Sequence, residues 1–240
     1  MTITDLKGQT VVVIGGSSGI GLATARQARA AGADVVLVGR DPDRLQRAAD
    51  EVEARRTAAF DAADPEALTR FFAELPGEID HVMVTAGGNY YARLADMDFG
   101  KVQRLIEEHV YLPLRLSAAA VGKVHAGGSL VFMGGIEIRP GLGLVVPGSL
   151  TAMLPVMISN LALEVAPIRV NLIAAGFVDT ELSARLLGDD LERRREELRT
   201  TLPIRRVVDP HDVAALALHL MANSAITGAT FDIDGGQRLV

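Results

Sequence analysis

Cysteine is absent from this chain of 240 residues. Without thiols, neither a disulfide framework nor a thiolate metal site can form, and an oxidising compartment cannot be distinguished from a reducing one. An uninterrupted apolar run approaching the roughly 20 residues of a membrane span is also missing, and the N-terminal segment has no apolar core typical of a signal peptide. We therefore expect no membrane segment and, by default, a cytoplasmic protein.

Positive charge is also scarce. The 24 lysine and arginine residues are outnumbered by 30 aspartate and glutamate residues, so the formal net charge is -6. A mildly acidic chain is poorly matched to a polyanion, and we expect no nucleic-acid partner. No cluster of histidine, aspartate and glutamate has the spacing of metal ligands, and we predict no metal site.

Apolar segments alternate with amphipathic helical patterns along the chain. This alternation is typical of βαβ units, whose parallel sheet is buried on both faces. The strand candidates are Thr10–Ile14, Asp34–Val38, Ala58–Phe60, His81–Thr85, Ser129–Met133, Arg169–Ala174 and Thr230–Asp234. The helix candidates lie near 20–31, 43–54, 65–73, 99–122, 150–165 and 210–222. The sequence predicts a single α/β domain, 1–240, with a Rossmann-like doubly wound sheet of about seven strands and ligands beyond their carboxyl ends.

The segment 181–206 breaks this alternation and contains the charged stretch GDDLERRREELR. Such a stretch is usually a solvated helix face, but a loop position after a strand also suits a lid over a pocket. We expect 181–206 to be a substrate lid, with a solvated helix face as the alternative.

A glycine-rich turn joins the first strand to the first helix in the sequence TVVVIGGSSGIGLA. Gly15 permits a tight exit from the strand, Gly19 lets the backbone approach a pyrophosphate, and Gly21 lets the helix pack on the sheet. Helix N–H groups favour the anion, and serine hydroxyls can add donors. An ordinary glycine turn is the alternative. The predicted nucleotide-binding residues here are Gly15, Ser17, Ser18, Gly19, Ile20 and Gly21.

The end of the second strand indicates which dinucleotide is bound. In VVLVGRDPDRL, Gly39 stands where an NAD-selective protein needs a carboxylate for the ribose hydroxyls. Arg40 follows, and a guanidinium can pair bidentately with a 2′-phosphate. We therefore predict NADP(H) rather than NAD(H). The alternative is that Arg40 is a surface arginine at the start of a loop, and Arg44 is a weaker second candidate.

Further segments resemble the short-chain dehydrogenase/reductase family over nearly the whole chain. Asp61 in AFDAAD resembles the family's adenine-contacting aspartate, and Thr85-Ala86-Gly87 resembles the end of its Asn-Asn-Ala-Gly element. The segments LALEVAPIRVNLIAAGFVDTEL and TGATFDIDGG resemble its helix–strand–loop and its closing strand. The resemblance implies a homodimer or homotetramer built on the helices near 99–122 and 150–165. It also implies cofactor contacts by Asp61, Ala86, Gly87, Gly176, Val178 and Thr180.

The family's catalytic positions hold other residues in this sequence. The family uses a serine, a tyrosine, a lysine four residues after it, and an asparagine. Counting back from Glu164 places Pro147 at the tyrosine and Thr151 at the lysine. Gly135, after the strand SLVFM, stands at the serine, and His109 stands at the asparagine. The resemblance therefore implies a degenerate or atypical active site.

The composition supports this alignment independently. The last tyrosine is Tyr111 and the last lysine is Lys123, so no Tyr-x-x-x-Lys sequence follows the central strand in any register. Proline and glycine cannot transfer protons, and a neutral threonine lacks the charge that depresses a tyrosine pKa. The standard mechanism of carbonyl reduction is therefore not expected.

His109 is the tentative catalytic substitute, because its intrinsic pKa suits acid–base chemistry. A packing histidine is the alternative. Pro113 has no N–H, so the His109 carbonyl loses its helical bond and can hold a water or ligand. The alternative is that Pro113 only kinks the helix and that the free His109 carbonyl has no function.

Four other residues place polar groups near the expected pocket. Tyr90 and Tyr91 follow the fourth strand and can present a phenol, although aromatic packing at the rim explains them as well. Glu137 and Arg139 place charge near the expected substrate, or pair with each other at the surface.

Two functions stay open. The first is an NADP(H)-dependent oxidoreductase that acts on an unknown carbonyl or alcohol substrate with substitute residues, or mainly by positioning the substrate over the nicotinamide. The second is a catalytically silent NADP(H)-binding protein, either a redox sensor or a supporting subunit. A non-redox enzyme such as a cyclase or isomerase is a third. We favour the oxidoreductase.

Overall fold

Seven parallel strands form one sheet in the order β3-β2-β1-β4-β5-β6-β7 in a computed structural model that describes residues 5–136 and 140–240. The doubly wound sheet predicted from the sequence is confirmed. The strands are β1 (Thr10–Ile14), β2 (Asp34–Gly39), β3 (Arg56–Ala59), β4 (Ile79–Val84), β5 (Val124–Gly135), β6 (Arg169–Ala175) and β7 (Thr230–Ile233). The helices are α1 (Gly19–Ala30), α2 (Pro42–Val52), α3 (Pro65–Glu74), α4 (Phe99–Ile106), α5 (Leu112–Ala120), α6 (Val145–Glu164), α7 (Glu181–Leu187), α8 (Leu191–Thr201) and α9 (Pro210–Ala222).

Helices cover both faces of the sheet. In β1, Val12 and Ile14 pack with residues of α3, α5 and α6, whereas Val11 and Val13 pack with residues of α1, α2 and α9. Alternate residues of a strand point to opposite faces, so a strand buried on both sides needs a continuous apolar run. This requirement explains the uninterrupted apolar sequences of the central strands.

Three helices begin at an Asp-Pro pair. Asp41, Asp64 and Asp209 are the N-caps of α2, α3 and α9, and each side chain accepts a hydrogen bond from a backbone N–H of the first turn. Aspartate satisfies N–H groups that have no helical partner, and proline at the first helical position has no N–H to satisfy. These local signals set where the three helices start.

The helix predicted near 99–122 is interrupted. A π-helical segment, Glu107–Tyr111, separates α4 from α5, and Leu112 N–H donates to the Glu107 carbonyl five residues earlier. Pro113 cannot make the ordinary bond to the carbonyl four residues before it, which favours a wider turn at this point. The prediction of a local distortion beside His109 is therefore confirmed, and that of one continuous helix is wrong.

The helix predicted near 150–165 begins earlier, at Val145. Pro147 thus lies in its first turn, where a missing N–H removes no helical bond. Among the described residues, α6 is also the one helix long and apolar enough to cross a membrane, with a mean hydropathy of 1.5. Polar residues such as Ser149, Thr151 and Asn160 interrupt its sequence, so α6 is not an uninterrupted apolar run. Leu154 and Ile158 pack on the sheet, whereas Val156 and Leu163 are exposed.

Candidate functional site

The loops that follow β1 and β4 meet at the point where the strand order reverses. Gly15 has a φ of +92°, and a Cβ added to it would lie 2.6 Å from Thr85 Oγ1. A Cβ on Gly21 would lie 2.2 Å from the Gly15 carbonyl oxygen. Only glycine fits at these two positions, because the loop after β4 packs directly on Gly15 and the turn itself packs directly on Gly21 of α1. Ligands of doubly wound sheets bind in the crevice at such a point.

The N-terminus of α1 opens toward this crevice. Gly19 begins the helix with a φ of +51°, and a Cβ on it would approach only Thr180, at 3.5 Å. Ser18 is the N-cap, but its side chain makes no capping hydrogen bond, and Ile20 is half-buried behind it. The Ser18 side chain thus leaves the first-turn N–H groups uncapped. An anion needs such uncapped N–H groups in order to bind at a helix N-terminus. The cradle therefore fits a pyrophosphate.

The segment after β2 lies beside this turn. A Cβ on Gly39 would lie 3.2 Å from Ser17 Oγ, so the two segments are in close contact. Arg40 is exposed and forms no ion pair with another described residue. Arg44 differs, because its guanidinium pairs with the Glu181 carboxylate at the start of α7. Of the two arginines, Arg40 is the one without such a partner.

Asp61, just beyond β3, is bound by an arginine that the sequence did not connect with it. Arg104 of α4 donates through Nη2 to Asp61 Oδ1 at 2.9 Å, and its Nη1 lies 2.8 Å from Oδ2. The Ala63 N–H donates to Oδ1 as well, at 3.1 Å. Hydrogen bonding by the Arg104 guanidinium holds the pKa of Asp61 below its usual value, with a smaller charge effect from Arg40. Asp61 is therefore an ionised, oriented carboxylate.

His109 lies in the π-helical segment and contacts the loop after β4. Its Nε2 donates to the Gly88 carbonyl at 3.0 Å, and a Cβ on Gly87 would lie 3.6 Å from its Cε1. Ala86 N–H donates to the Ile14 carbonyl at 3.1 Å, which joins this loop to β1. In the neutral tautomer that donates from Nε2, only Nδ1 can accept a proton. An acid–base role for His109 would therefore run through Nδ1.

Gly135 and Thr151 are neighbours in the structure, and their assignment to catalytic positions of the family stays a prediction. Gly135 ends β5, and a Cβ added to it would lie 3.2 Å from Thr151 Oγ1 on α6. Pro147 lies one helical turn before Thr151, so both belong to one side of the helix. Glu137 and Arg139, named as possible charged neighbours, lie outside the described residues.

The two tyrosines differ in what they can offer the site. The Tyr90 hydroxyl accepts a hydrogen bond from the Asp98 N–H at 2.8 Å, and the Lys101 ammonium lies 5.3 Å from its ring centroid. Tyr90 is therefore part of the loop's internal structure. Tyr91 is exposed.

The loop after β6 completes the crevice. A Cβ on Gly176 would lie 2.8 Å from Asp234 Cβ, so this segment packs closely on the end of β7. Val178 forms an isolated parallel β-bridge with Val208, and its side chain is buried. A ligand in the crevice could therefore contact Val178 only through its backbone. Thr180 caps α7 by accepting from the Ser183 N–H at 3.2 Å. The expected contacts of this loop with a cofactor stay predictions.

The segment 181–206 contains α7 and α8, two helices that the sequence reading did not separate. Arg195 of α8 donates to Asp179 at 2.7 Å, and Arg44 pairs with Glu181 of α7. These contacts tie the segment to both sides of the crevice. The role of this segment as a lid is a prediction.

Comparisons with known proteins agree with this geometry. Residues 14–238 match the family model described as Enoyl-(Acyl carrier protein) reductase. The NADP-dependent (R)-specific alcohol dehydrogenase of Lentilactobacillus kefiri is 30% identical, over 98% of each chain. A solved structure described as a short chain dehydrogenase/reductase family protein is 32% identical with a TM-score of 0.87, covering 98% of this chain and 100% of its own. A small-chain dehydrogenase in complex with NADPH is 25% identical with a TM-score of 0.82, covering 97% and 99%.

Proposed function

Because this chain belongs to the short-chain dehydrogenase/reductase family, an oxidoreductase family that uses nicotinamide cofactors, we propose that it is an NADP(H)-dependent oxidoreductase of unknown carbonyl or alcohol substrate. The observation that carries the proposal is the uncapped first turn of α1, which opens at the switch point between β1 and β4. A bound nicotinamide supplies hydride chemistry, and the chain supplies binding and orientation.

The choice of NADP(H) rests on the end of β2. Gly39 places no carboxylate where one would repel a 2′-phosphate, and Arg40 beside it is exposed. A guanidinium can bind such a phosphate with two parallel hydrogen bonds. The L. kefiri relative is NADP-dependent by name, and one structural neighbour is a complex with NADPH.

We further propose that catalysis does not use the family's standard residues. Gly135, Pro147 and Thr151 stand at the positions of the serine, tyrosine and lysine, and none of them can act as a general acid. Thr151 Oγ1 can still hydrogen-bond a ribose hydroxyl. His109 is the proposed acid–base residue, and it would act through Nδ1.

Two measurements test the proposal. Calorimetric titration with NADP+, NADPH, NAD+ and NADH should show selective binding of the two phosphorylated forms. Incubation with NADPH and a broad panel of aldehydes and ketones should then oxidise the cofactor. Tight binding without turnover across the panel would contradict the oxidoreductase and favour the silent NADP(H)-binding protein. If none of the four cofactors binds, the glycine turn is not a nucleotide-binding site.

We also propose that the protein is a cytoplasmic homodimer or homotetramer joined through α5 and α6. Leu114 of α5 and Val156 and Leu163 of α6 are exposed apolar residues on these helices. Light scattering after gel filtration should give two or four chains, and Val156→Glu should reduce that number. A wild-type monomer at micromolar concentration would contradict the assembly.

A further inference from the structure

Two neighbouring residues hold both backbone groups of Gly88. Glu108 Oε2 accepts from the Gly88 N–H at 2.7 Å, and His109 Nε2 donates to the Gly88 carbonyl at 3.0 Å. The Glu108 side chain is largely buried, with 9% of it exposed. We refer to this arrangement of Glu108, His109 and Gly88 as the Gly88 clamp.

A second set of bonds fixes the carboxylate of the clamp. Arg104 Nε donates to Glu108 Oε1 at 2.6 Å, while the two terminal nitrogens of the same guanidinium bind Asp61. The pKa of Arg104 is raised by these carboxylates, Asp61 first. Bonds between ionised partners are stronger than neutral ones and hold geometry more firmly. A continuous chain of such bonds therefore connects the loop after β3 with the loop after β4.

The clamp acts on Gly87 and Gly88, which have no side chains with which to pack. Gly87 has a φ of +146°, a region that favours glycine, and Gly88 follows it. Consecutive glycines lose more backbone entropy on ordering than other residues, so hydrogen bonds must hold them. On the other side, this loop contacts the cradle, where a Cβ on Gly15 would lie 2.7 Å from Ala86 N. The position of Gly88 thus affects one wall of the crevice.

We propose that Glu108 is a positioning residue that fixes the 86–88 segment against the nicotinamide half of the cofactor. The inference rests on the proposed function, since it assumes that the crevice binds NADP(H). It predicts that affinity for the whole dinucleotide depends on Glu108, whereas affinity for the adenine half does not. Because Arg104 binds Asp61 through its two terminal nitrogens and Glu108 through Nε, we expect the Asp61 side to stay ordered when Glu108 is removed.

The test compares Glu108→Ala with Glu107→Ala, a matched control. Glu107 is the preceding residue of the same π-helical segment, but it pairs with Arg115 rather than with Gly88. Each variant is titrated with NADPH and with adenosine 2′,5′-bisphosphate, which carries only the phosphorylated adenine half. Glu108→Ala should weaken NADPH binding by about tenfold or more, because the partly buried Gly88 N–H loses a charged acceptor. Binding of the bisphosphate should change by less than about twofold, and Glu107→Ala should affect neither.

Two additional readouts separate positioning from a general loss of structure. Glu108→Gln keeps an oxygen that can accept from the Gly88 N–H, so it should recover most of the NADPH affinity. Hydrogen exchange without ligand should show faster exchange of the 86–90 amides in Glu108→Ala than in Glu107→Ala. Equal losses for both ligands, or unchanged exchange at 86–90, would overturn the inference. If the wild type binds neither ligand, the proposed function fails, while the exchange result still tests the clamp.

Discussion

Gly135 at the end of β5 faces Thr151 on α6, and a Cβ on the glycine would lie 3.2 Å from the threonine Oγ1. The proposed alignment places the family's serine and lysine at these two positions, and its tyrosine one turn earlier on the helix, at Pro147. If the proposed alignment is right, the backbone keeps the arrangement of the catalytic positions while this chain holds other residues there. That arrangement makes the proposal of an atypical site testable by gain of activity.

Restoring the family residues should raise turnover. The variant G135S/P147Y/T151K supplies a general acid and a cation beside it, and its NADPH-dependent reduction of a carbonyl panel should rise about 10²-fold or more. The control is G135S/T151K, which has the cation but no phenol. Equal activity of the two variants at equal NADPH affinity would contradict the assigned positions.

Removing the guanidinium of Arg40 should change cofactor selectivity. Arg40→Ala should weaken NADPH binding by about 10- to 100-fold, because a hydrogen-bonded charge on the 2′-phosphate is lost. NADH binding should be unchanged, since NADH has no such phosphate. Arg47→Ala, on an exposed position of α2, is the control and should alter neither affinity. Equal weakening of both cofactors by Arg40→Ala would refute the assigned role.

Arg169 should matter for stability more than any surface arginine. It is 6% exposed, and its guanidinium donates to the carbonyls of Leu220, Met221 and Asn223 at the end of α9. Arg169→Met leaves these carbonyls without their donor, and the free energy of unfolding should fall by about 3 kcal/mol or more in urea denaturation. Arg29→Met breaks only an exposed pair with Glu53 and should cost less than about 1 kcal/mol. Similar losses in both variants would be evidence against the buried network.

The stability of the fold should depend on pH through His81. This side chain is 3% exposed, and its ring nitrogens lie 2.9 Å from Ser129 Oγ and from Gln9 Oε1. Burial lowers the pKa of His81 from 6.5 to about 4, and outweighs the opposite effect of Asp80. The unfolded chain therefore binds a proton below pH 6.5 that the folded protein takes up only near pH 4.

It follows that the contribution of His81 is complete above pH 6.5 and is lost as the pH falls toward 4. The loss is at most about 3 kcal/mol. Urea denaturation between these two pH values should show a steeper decline for the wild type than for His81→Gln. Parallel declines would show that His81 takes up its proton equally in both states.

The segment 181–206 should loosen when its contact with α2 is removed. Glu181→Gln deletes the ionic partner of Arg44, so trypsin should cleave the arginine-rich stretch of α8 faster. NADPH should slow that cleavage, because Thr180 at the base of the segment adjoins the cradle residue Gly19. Cleavage that is unaffected by NADPH would argue against a lid.

Local patterns predicted most of the architecture. The apolar runs of β1 and β2 correspond to strands because burial on both faces leaves no polar position, and the Asp-Pro pairs correspond to helix starts. The sequence predicts only part of the break at Glu107–Tyr111. Pro113 indicates a distortion of the helix, but it does not indicate the π turn that accommodates the proline. The early start of α6 was missed because its first turn holds Pro147 and Gly148, which are poor helix formers.

The sequence by itself determined the sheet and the glycine turn, because each depends on spacing within a short segment. Only the tertiary structure decided how charges are paired around the crevice. Asp61 meets Arg104 across 43 residues, and Gly88 meets Glu108 across 20. Such contacts depend on how the crossover connections bring separate loops to one edge of the sheet. The spacing of residues within a short segment contains no information about contacts between distant loops.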